Sequence, residues 1–306
     1  MRTLIVDEKG NLSVQEIPEP AYGECQALVK MLSCGVCNGT DMKLIHHSFK
    51  NFDSYPAVLG HEGVGRVVAV GGKVTGLHVG DMVLLPFLER ETCGYTPGWG
   101  AYSEYAVVGD AESYTANGMG EGTKEWSEGY LAQTVIKPAD KVDAVGAAMI
   151  ITFREVLSAI RWFGFQPNES VLIFGAGPVG LCFTKFCKLL GLKTVITTDV
   201  MDDKVEGARR AGADYAFNSA KCDIDAEVKR LFPDGIDYVV DAVGINALKK
   251  EEGEAHSQIM ACINQGVLDP MDFISDVIEF EHILDAFALV EERRPSTKKI
   301  VIRYGE

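Results

Sequence analysis

Short apolar runs separated by turn-forming residues fill the first 140 residues of the chain. Each run is rich in Val, Leu and Ile, and Gly, Pro or Asp separates it from the next, which is the pattern of β-strands. Helical periodicity is scarce before Asp140. The clearest runs are "RTLIVD", "LSVQEI", "ECQALVKMLSCG", "GVGRVVAVG" and "GDMVLLPF". This pattern predicts a β-rich domain at the start of the chain.

The pattern changes near Ala147, where apolar positions begin to recur at helical spacing. Residues 147–165 predict a helix, and buried strands then alternate with further helices. The predicted strands are "SVLIFGAG", "KTVITTD", "DYAFN" and "IDYVVDAVG", and the helices between them are "PVGLCFTKFCKLLG", "DDKVEGARRAGA" and "DIDAEVKRLFPDG". Strands joined by helices form right-handed βαβ units, so this part of the chain predicts a parallel sheet.

The tail predicts two helices and a closing strand. The helix "AHSQIMACINQG" ends at Gly266, and the helix "FEHILDAFALVEERR" precedes the strand "TKKIVIRY". The predicted apolar face of the second helix consists of Ile283, Leu284, Phe287, Ala288 and Val290. We therefore expect a β-rich domain from residues 1–154 together with the return segment 251–306, and an α/β domain from residues 155–250.

The composition narrows the classes of function. The chain has 306 residues, enough for about two domains, and a net charge of -15. This charge argues against a nucleic-acid partner, which needs a basic face. No apolar stretch reaches the ~18 residues that a membrane-spanning helix needs, and no targeting segment is visible. Eight cysteines without a secretory signal favour a cytoplasmic location.

A glycine-rich turn predicts a dinucleotide site. "GAGPVG" follows a predicted strand and opens a predicted helix, with Gly175, Gly177 and Gly180 at the three glycine positions. The intervening Pro178 and Val179 begin the helix. The free N–H groups at the start of this helix would face the pyrophosphate of the cofactor.

Asp199 ends the second predicted strand of the α/β domain, downstream of the glycine-rich turn. A carboxylate at this position accepts hydrogen bonds from the adenosine ribose and repels a 2′-phosphate, which favours NAD over NADP. The alternative is that Asp199 only caps the helix that begins near Asp202. The surrounding βαβ pattern makes NAD binding the preferred interpretation.

Two separate stretches offer metal ligands. Cys37 lies in "CGVCNGTDMKLIHH", and His61 and Glu62 lie in "LGHEGVGRVVAVG". A thiolate, an imidazole and a carboxylate are zinc donors, and three protein ligands leave one coordination position for water or substrate. Their spacing is too long for a zinc finger and suits two loops that meet in space. Taken singly, Cys37 would be a buried thiol and His61 a core histidine.

Together these motifs resemble those of the zinc-containing medium-chain dehydrogenases, which include alcohol, sorbitol and threonine dehydrogenases. The resemblance rests on "CGVCNGTD", "GHEGVGRVVAVG" and "GAGPVG" and covers nearly the whole chain. It implies a GroES-like β-rich catalytic domain and a Rossmann doubly wound parallel sheet. It also implies NAD and a single, catalytic Zn2+, because the four-cysteine lobe for a structural zinc is missing and Cys93 stands alone.

The resemblance implies a role for each residue of the two metal-site stretches. Cys37 and His61 would bind zinc, and Glu62 would be a third ligand as in the sorbitol-type members. Asp41 would orient one of the zinc ligands without binding the metal itself. Thr40 would relay the alcohol proton, although the loop is one residue longer than usual and displaces it.

Further positions follow from the same resemblance. Lys204 matches a lysine that contacts the adenosine ribose. The position of the last zinc ligand aligns with Ile150 and Ile151, neither of which binds metal. Either a water molecule or Glu155, about one helical turn further on, would complete the coordination.

The predicted doubly wound sheet is short. A full dinucleotide site needs about six strands, and a helix and two strands, on the order of 40 residues, are missing after "YVVDAVG". Either the natural protein lacks a segment after Gly244 or the sequence omits one. An exposed sheet edge promotes aggregation, which favours the omission without deciding the matter.

The sequence therefore predicts a zinc-dependent oxidoreductase that transfers a hydride between NAD and a secondary alcohol, polyol or sugar-like substrate. We expect a homodimer or homotetramer whose partner is a small molecule, with neither nucleic acid nor membrane involved. Two alternatives stay open. One is a zinc-free enzyme similar to the quinone reductases, and the other is a non-catalytic relative that holds NAD or zinc without turnover.

Overall fold

The computed structural model describes residues 1–243, 252–292, 294 and 296–305. The chain divides into two compact units. The first comprises Met1–Ile151, Gln258–Glu292 and Lys299–Glu306, and the second comprises Thr152–Ser257 and Arg293–Lys298. Within the described ranges, no helix has both the length and the apolar character needed to cross a membrane.

The strands and helices of the described residues are numbered in chain order. The strands are β1 (Arg2–Val6), β2 (Leu12–Glu16), β3 (Gln26–Val36), β4 (Ala57–Val58), β5 (Glu62–Val70), β6 (Met82–Leu84), β7 (Thr96–Pro97), β8 (Tyr105–Gly109), β9 (Val135–Ile136), β10 (Ser170–Phe174), β11 (Thr194–Asp199), β12 (Tyr215–Asn218), β13 (Tyr238–Asp241), β14 (Ile274–Glu279) and β15 (Lys299–Arg303). The α-helices are α1 (Asp41–Ile45), α2 (Ala111–Ala116), α3 (Gly129–Ala132), α4 (Ala144–Phe163), α5 (Pro178–Leu189), α6 (Asp202–Ala211), α7 (Ile224–Leu231), α8 (Glu252–Asn264) and α9 (Ile283–Glu291).

Two β-sheets frame the first unit. One has the strand order β2-β1-β4-β7, and the other has the order β14-β15-β3-β5-β6-β9, with β8 also paired to β3. Apolar side chains of both sheets and of α9 pack into one core that includes Leu4, Met31, Val67 and Phe287. The buried positions, which alternate with exposed ones along the strands, therefore face this core.

The register of the larger sheet brings distant parts of the sequence together at adjacent ends of neighbouring strands. β3 pairs antiparallel with both β5 and β15, and Gly35 lies opposite Glu62. Cys37 directly follows β3, and Lys299 begins β15. A Cβ atom at Gly35 would lie 2.2 Å from Glu62 Oε2, so a side chain at this position would displace the carboxylate from where it lies. A thiol, a carboxylate and an ammonium group thus lie together at these strand ends.

A parallel sheet forms the centre of the second unit. Its four strands have the order β12-β11-β10-β13, and every pair is parallel. Helix α5 follows β10 through the glycine-rich turn. A Cβ atom at Gly180 would lie 1.8 Å from the carbonyl oxygen of Gly175, so the third glycine is required for close packing of helix and turn.

The strands and helices predicted for this α/β region are present in the structure, from α4 through β13. The predicted apolar face of α9 is partly wrong. Leu284 is 45% exposed and Ala288 is also exposed, whereas Ala286 is fully buried. The buried positions Ile283, Ala286 and Phe287 follow the i, i+3, i+4 spacing of one helical face, which the predicted set did not keep.

The sequence pattern also missed several elements. β14 pairs parallel with β15, although its residues were not predicted as a strand. Helices α1, α2 and α3 contain between four and six residues, too few to show helical periodicity. The position after Gly244, where the sequence predicts a gap in the sheet, lies outside the described residues.

Candidate metal and cofactor sites

Three donor groups converge at the adjoining ends of β3 and β5. The ligand atoms of Cys37, His61 and Glu62 all lie within 4.8 Å of one another. Cys37 and His61 are half-buried, and Glu62 is only 1% exposed. His61 Nε2 lies 3.9 Å from Glu62 Oε1. The fold thus brings together the three residues that the sequence nominates as zinc ligands.

Asp41 is fully buried beside this cluster and orders it. Its Oδ2 accepts hydrogen bonds from the N–H of Cys37 at 3.0 Å and from the hydroxyl of Tyr102 at 2.7 Å. Its Oδ1 lies 3.5 Å from His61 Nδ1, beyond the usual length of an N–H···O bond. These last two atoms are both buried, and neither has a hydrogen-bond partner among the described residues.

The orphaned pair of atoms fits a metal on the other side of the imidazole. A ligand histidine usually binds through one ring nitrogen and donates its other N–H to a carboxylate. A metal on His61 Nε2 would fix Nδ1 as the donor, and a small rotation of the ring would bring it into hydrogen-bond distance of Asp41 Oδ1. The chemistry of the donor set and the position of Asp41 therefore suit zinc.

Burial and nearby charges shift the pKa values of Cys34 and His61 beside the donor cluster. Burial raises the pKa of the Cys34 thiol well above its usual value, and the negative charges of Asp41 and Glu62 raise it further. Cys34 is therefore a packed, protonated thiol. Burial alone would lower the pKa of His61, but its interactions with Asp41 and Cys37 raise it well above the usual value. The interactions with Asp41 and Cys37 therefore favour a positive charge on the imidazole.

Lys299 pairs with Glu62. Its Nζ donates hydrogen bonds to Oε1 at 2.8 Å and to Oε2 at 2.7 Å. The exposed fractions of the two side chains are only 4% and 2%. The ammonium group compensates the carboxylate and fixes its orientation beside His61. The sequence pattern did not predict a role for this residue. The feature that could have indicated one is a lysine at the start of the apolar strand β15.

Thr40 stands at the N-terminus of α1, half-buried and next to the cluster. Its backbone N–H donates to Cys37 Sγ at 3.4 Å. Its side chain makes no capping hydrogen bond to the helix. The extra loop residue therefore still leaves a hydroxyl-bearing residue within one turn of Cys37.

The two isoleucines that align with the last zinc ligand of the family cannot supply a fourth ligand. Ile150 is fully buried and Ile151 is 2% exposed, and both are apolar core residues of α4. Glu155 is half-buried in the second unit, and its part in the coordination stays a prediction. A water molecule in the fourth position stays the other prediction.

The glycine-rich turn and Asp199 are directly connected. Gly177 is the N-cap of α5, and Pro178 is its first residue. Asp199 Oδ2 accepts from the N–H of Ala176 at 2.9 Å, and Oδ1 accepts from the N–H of Met201 at 3.1 Å. Since a carboxylate oxygen has more than one lone pair, each oxygen can still accept a ribose hydroxyl.

Lys204 lies on α6 with its ammonium group close to this turn. Burial lowers its pKa, while the charge of Asp199 raises it and that of Lys298 lowers it. Its Nζ donates to the carbonyl oxygen of Thr297. A small pocket of about 170 Å³ is lined by Ala176, Lys204 and neighbouring residues of the second unit. A ribose contact by Lys204 would compete with the bond to Thr297.

Comparison with known proteins supports this interpretation of the fold. The family model described as "Alcohol dehydrogenase GroES-like domain" matches residues 23–142, and the model "Zinc-binding dehydrogenase" matches residues 178–252. The chain is 31% identical over 269 residues to an alcohol dehydrogenase of Geobacillus stearothermophilus, with 85% of this chain and 74% of that protein covered.

Two further proteins show the same likeness. The chain is 30% identical over 270 residues to an NAD-dependent alcohol dehydrogenase of Saccharolobus solfataricus, with 79% of this chain and 71% of that protein covered. The crystal structure of the rspB alcohol dehydrogenase from Escherichia coli, complexed with NADH, superposes with a TM-score of 0.76. It is 22% identical, and the match covers 99% of each chain, which supports the fold alone.

Proposed function

The chain belongs to the zinc-containing medium-chain alcohol dehydrogenase family, and we propose that it is an NAD-dependent enzyme that oxidises a secondary alcohol or polyol. Its fold combines a GroES-like domain with a Rossmann-like parallel sheet. We assign catalysis to the GroES-like domain and dinucleotide binding to the Rossmann-like domain. The observation that carries the proposal is the convergence of Cys37, His61 and Glu62 on one point.

Zinc, when bound, would supply a Lewis acid that lowers the pKa of the alcohol hydroxyl. Cys37 and His61 would hold it, and Glu62 would be the third donor. Asp41 would hold the imidazole of His61 in the orientation for binding, because its Oδ1 lies 3.5 Å from Nδ1 and a small rotation of the ring would bring the two atoms into hydrogen-bond distance. The N–H of Thr40 donates to Cys37 Sγ and so fixes the position of the sulfur.

The proton of the alcohol needs an acceptor that reaches solvent. Thr40 follows Cys37 by three residues, and its side chain makes no capping hydrogen bond to α1. We assign its hydroxyl the role of passing this proton outward, one hydrogen bond at a time. NAD, when bound, would supply the nicotinamide that accepts a hydride from the carbinol carbon.

NAD is the proposed cofactor because of Asp199. Its carboxylate is anchored by two backbone N–H groups at the glycine-rich turn, so the negative charge has a fixed position. A 2′-phosphate there would be repelled. The relative from Saccharolobus solfataricus is NAD-dependent, which agrees with this assignment.

Metal analysis of one variant tests the proposal. Cys37→Ser should lose stoichiometric zinc and alcohol oxidation, while its circular dichroism and its NAD binding stay unchanged. Cys93→Ser is the matched control, because Cys93 is an exposed free thiol outside the donor cluster. Zinc, measured per chain by elemental analysis, should stay near wild type in the control.

A panel of alcohols and polyols with NAD completes the test. Turnover that persists in the Cys37→Ser protein, or wild-type turnover without zinc, would favour a zinc-free reductase. Bound zinc and NAD without turnover of any alcohol would favour a non-catalytic relative. Either result would overturn the proposed function.

A further inference from the structure

Trp99 adopts a backbone conformation that bulky residues rarely take. Its φ is 68°, in the left-handed region where side chains other than glycine are strained. The surroundings hold it there, since its carbonyl oxygen accepts from the N–H of Leu88 at 2.7 Å. Its ring packs edge-on against Phe49, with centroids 5.7 Å apart. Strain of this kind is most often retained at functional sites.

The ring of Trp99 borders both the metal cluster and a groove. Its centroid lies 5.5 Å from that of His61, with the two planes tilted by 54°. Trp99 also lines a groove of about 880 Å³ in the first unit. This volume is typical of sites that bind small molecules. The indole therefore packs beside a predicted zinc ligand and also lines the groove.

The lining of the groove changes along its length. Beside Trp99 it is apolar, with Phe52 and Leu88. It also includes Gln26, whose Nε2 donates to Glu89 Oε2 at 2.5 Å. Gln26 is the first residue of β3, whereas Cys37 follows the last, so this hydrogen bond lies at the other end of the strand from the donor cluster. The lining is thus apolar beside Trp99 and mixed elsewhere, where it includes the charged Arg90 and the aromatic Tyr130.

We propose that Trp99 is a specificity-determining residue that favours secondary alcohols whose carbinol carbon belongs to a ring or carries one. A flat indole gains contact with an aromatic ring or with the C–H face of a cyclic polyol. A linear polyol presents no such face and exposes hydroxyl groups to the apolar wall. This inference rests on the proposed function and narrows its substrate class.

Two variants separate the indole from the backbone strain. Trp99→Gly removes the ring and relieves the left-handed backbone, whereas Trp99→Ala removes the ring and keeps the strain. kcat/KM is measured with NAD for 1-phenylethanol, inositol and sorbitol, as aromatic, cyclic and linear probes. The ratio of the better ring-bearing probe to sorbitol should fall about tenfold in both variants. The Tm of the Gly variant should exceed that of the Ala variant.

The outcomes distinguish this inference from the proposal beneath it. A wild-type preference for sorbitol, or an unchanged ratio in both variants, would overturn the role of Trp99 alone. A ratio that falls only in the Ala variant would mean that strain, not the indole, controls selectivity, and would also overturn it. Failure of the zinc-loaded wild type to oxidise any probe or panel alcohol would overturn the proposed function first, and this inference with it.

Discussion

Lys299 Nζ and the carboxylate of Glu62 form a buried ion pair at the adjacent ends of β15, β3 and β5. The hydrogen bonds to the two oxygens measure 2.8 and 2.7 Å, so the ammonium group is nearly equidistant from them. Neither charge is accessible enough to be solvated by bulk water. Because an isolated buried charge is far more costly than a paired one, each side chain depends on the other.

We therefore predict that Lys299→Met lowers the free energy of unfolding by about 3–5 kcal/mol, since Glu62 is left as an uncompensated buried charge. Urea unfolding of the metal-free protein measures this loss without a contribution from bound zinc. Lys299→Arg keeps the positive charge and should lose less. The double variant Lys299→Met with Glu62→Gln removes both charges and should regain most of the loss. Equal instability of the single and double variants would contradict the ion-pair explanation.

The local sequence predicted the donor set but not its partner. Cys37, His61 and Glu62 lie in short motifs whose residue types already indicate metal binding. Lys299 is 237 residues away from Glu62, and their contact exists only because β15 aligns with β3. No local pattern contains that register.

The same reasoning explains what else the sequence did and did not predict. The parallel sheet was predictable because each strand and helix there has its own apolar periodicity and its own turn residues. The left-handed backbone of Trp99 was not, because it depends on the fit of the loop against Leu88 and Phe49. Tertiary contacts, rather than propensity, hold that residue.

A second prediction concerns the choice of cofactor. Asp199→Ser combined with Val200→Arg removes the charge that repels a 2′-phosphate and places a cation beside it, on a residue that is 63% exposed. The ratio of kcat/KM for NAD to that for NADP should fall at least about tenfold. Asp199→Asn is the control, because its amide can still accept from one backbone N–H while losing the charge. A wild-type enzyme that uses NADP as well as NAD would contradict the argument.

A third prediction follows from Asp110, which caps α2 and joins it to the loop at residues 75–76. Its Oδ2 accepts from the N–H groups of Thr75 and Gly76, both at 2.7 Å, and its Oδ1 accepts from that of Ser113 at 3.1 Å. Burial alone would raise its pKa, but the backbone hydrogen bonds outweigh burial and lower it. The ionised carboxylate is therefore bound more favourably in the folded protein than in the unfolded chain.

The sign of the pH dependence follows from that lowered pKa. The stabilisation should be fully present above the unfolded value of about 4 and should disappear as the pH falls through the folded value. Asp110→Asn should lower the free energy of unfolding by about 1–3 kcal/mol at pH 7, because an amide cannot satisfy the three donors equally. The difference from wild type should shrink below about pH 4, when urea unfolding is repeated at decreasing pH. Glu8→Gln, at an exposed turn, is the control and should show little difference at any pH. A deficit of Asp110→Asn that stays constant across this range would show that the carboxylate charge does not stabilise the α2 cap.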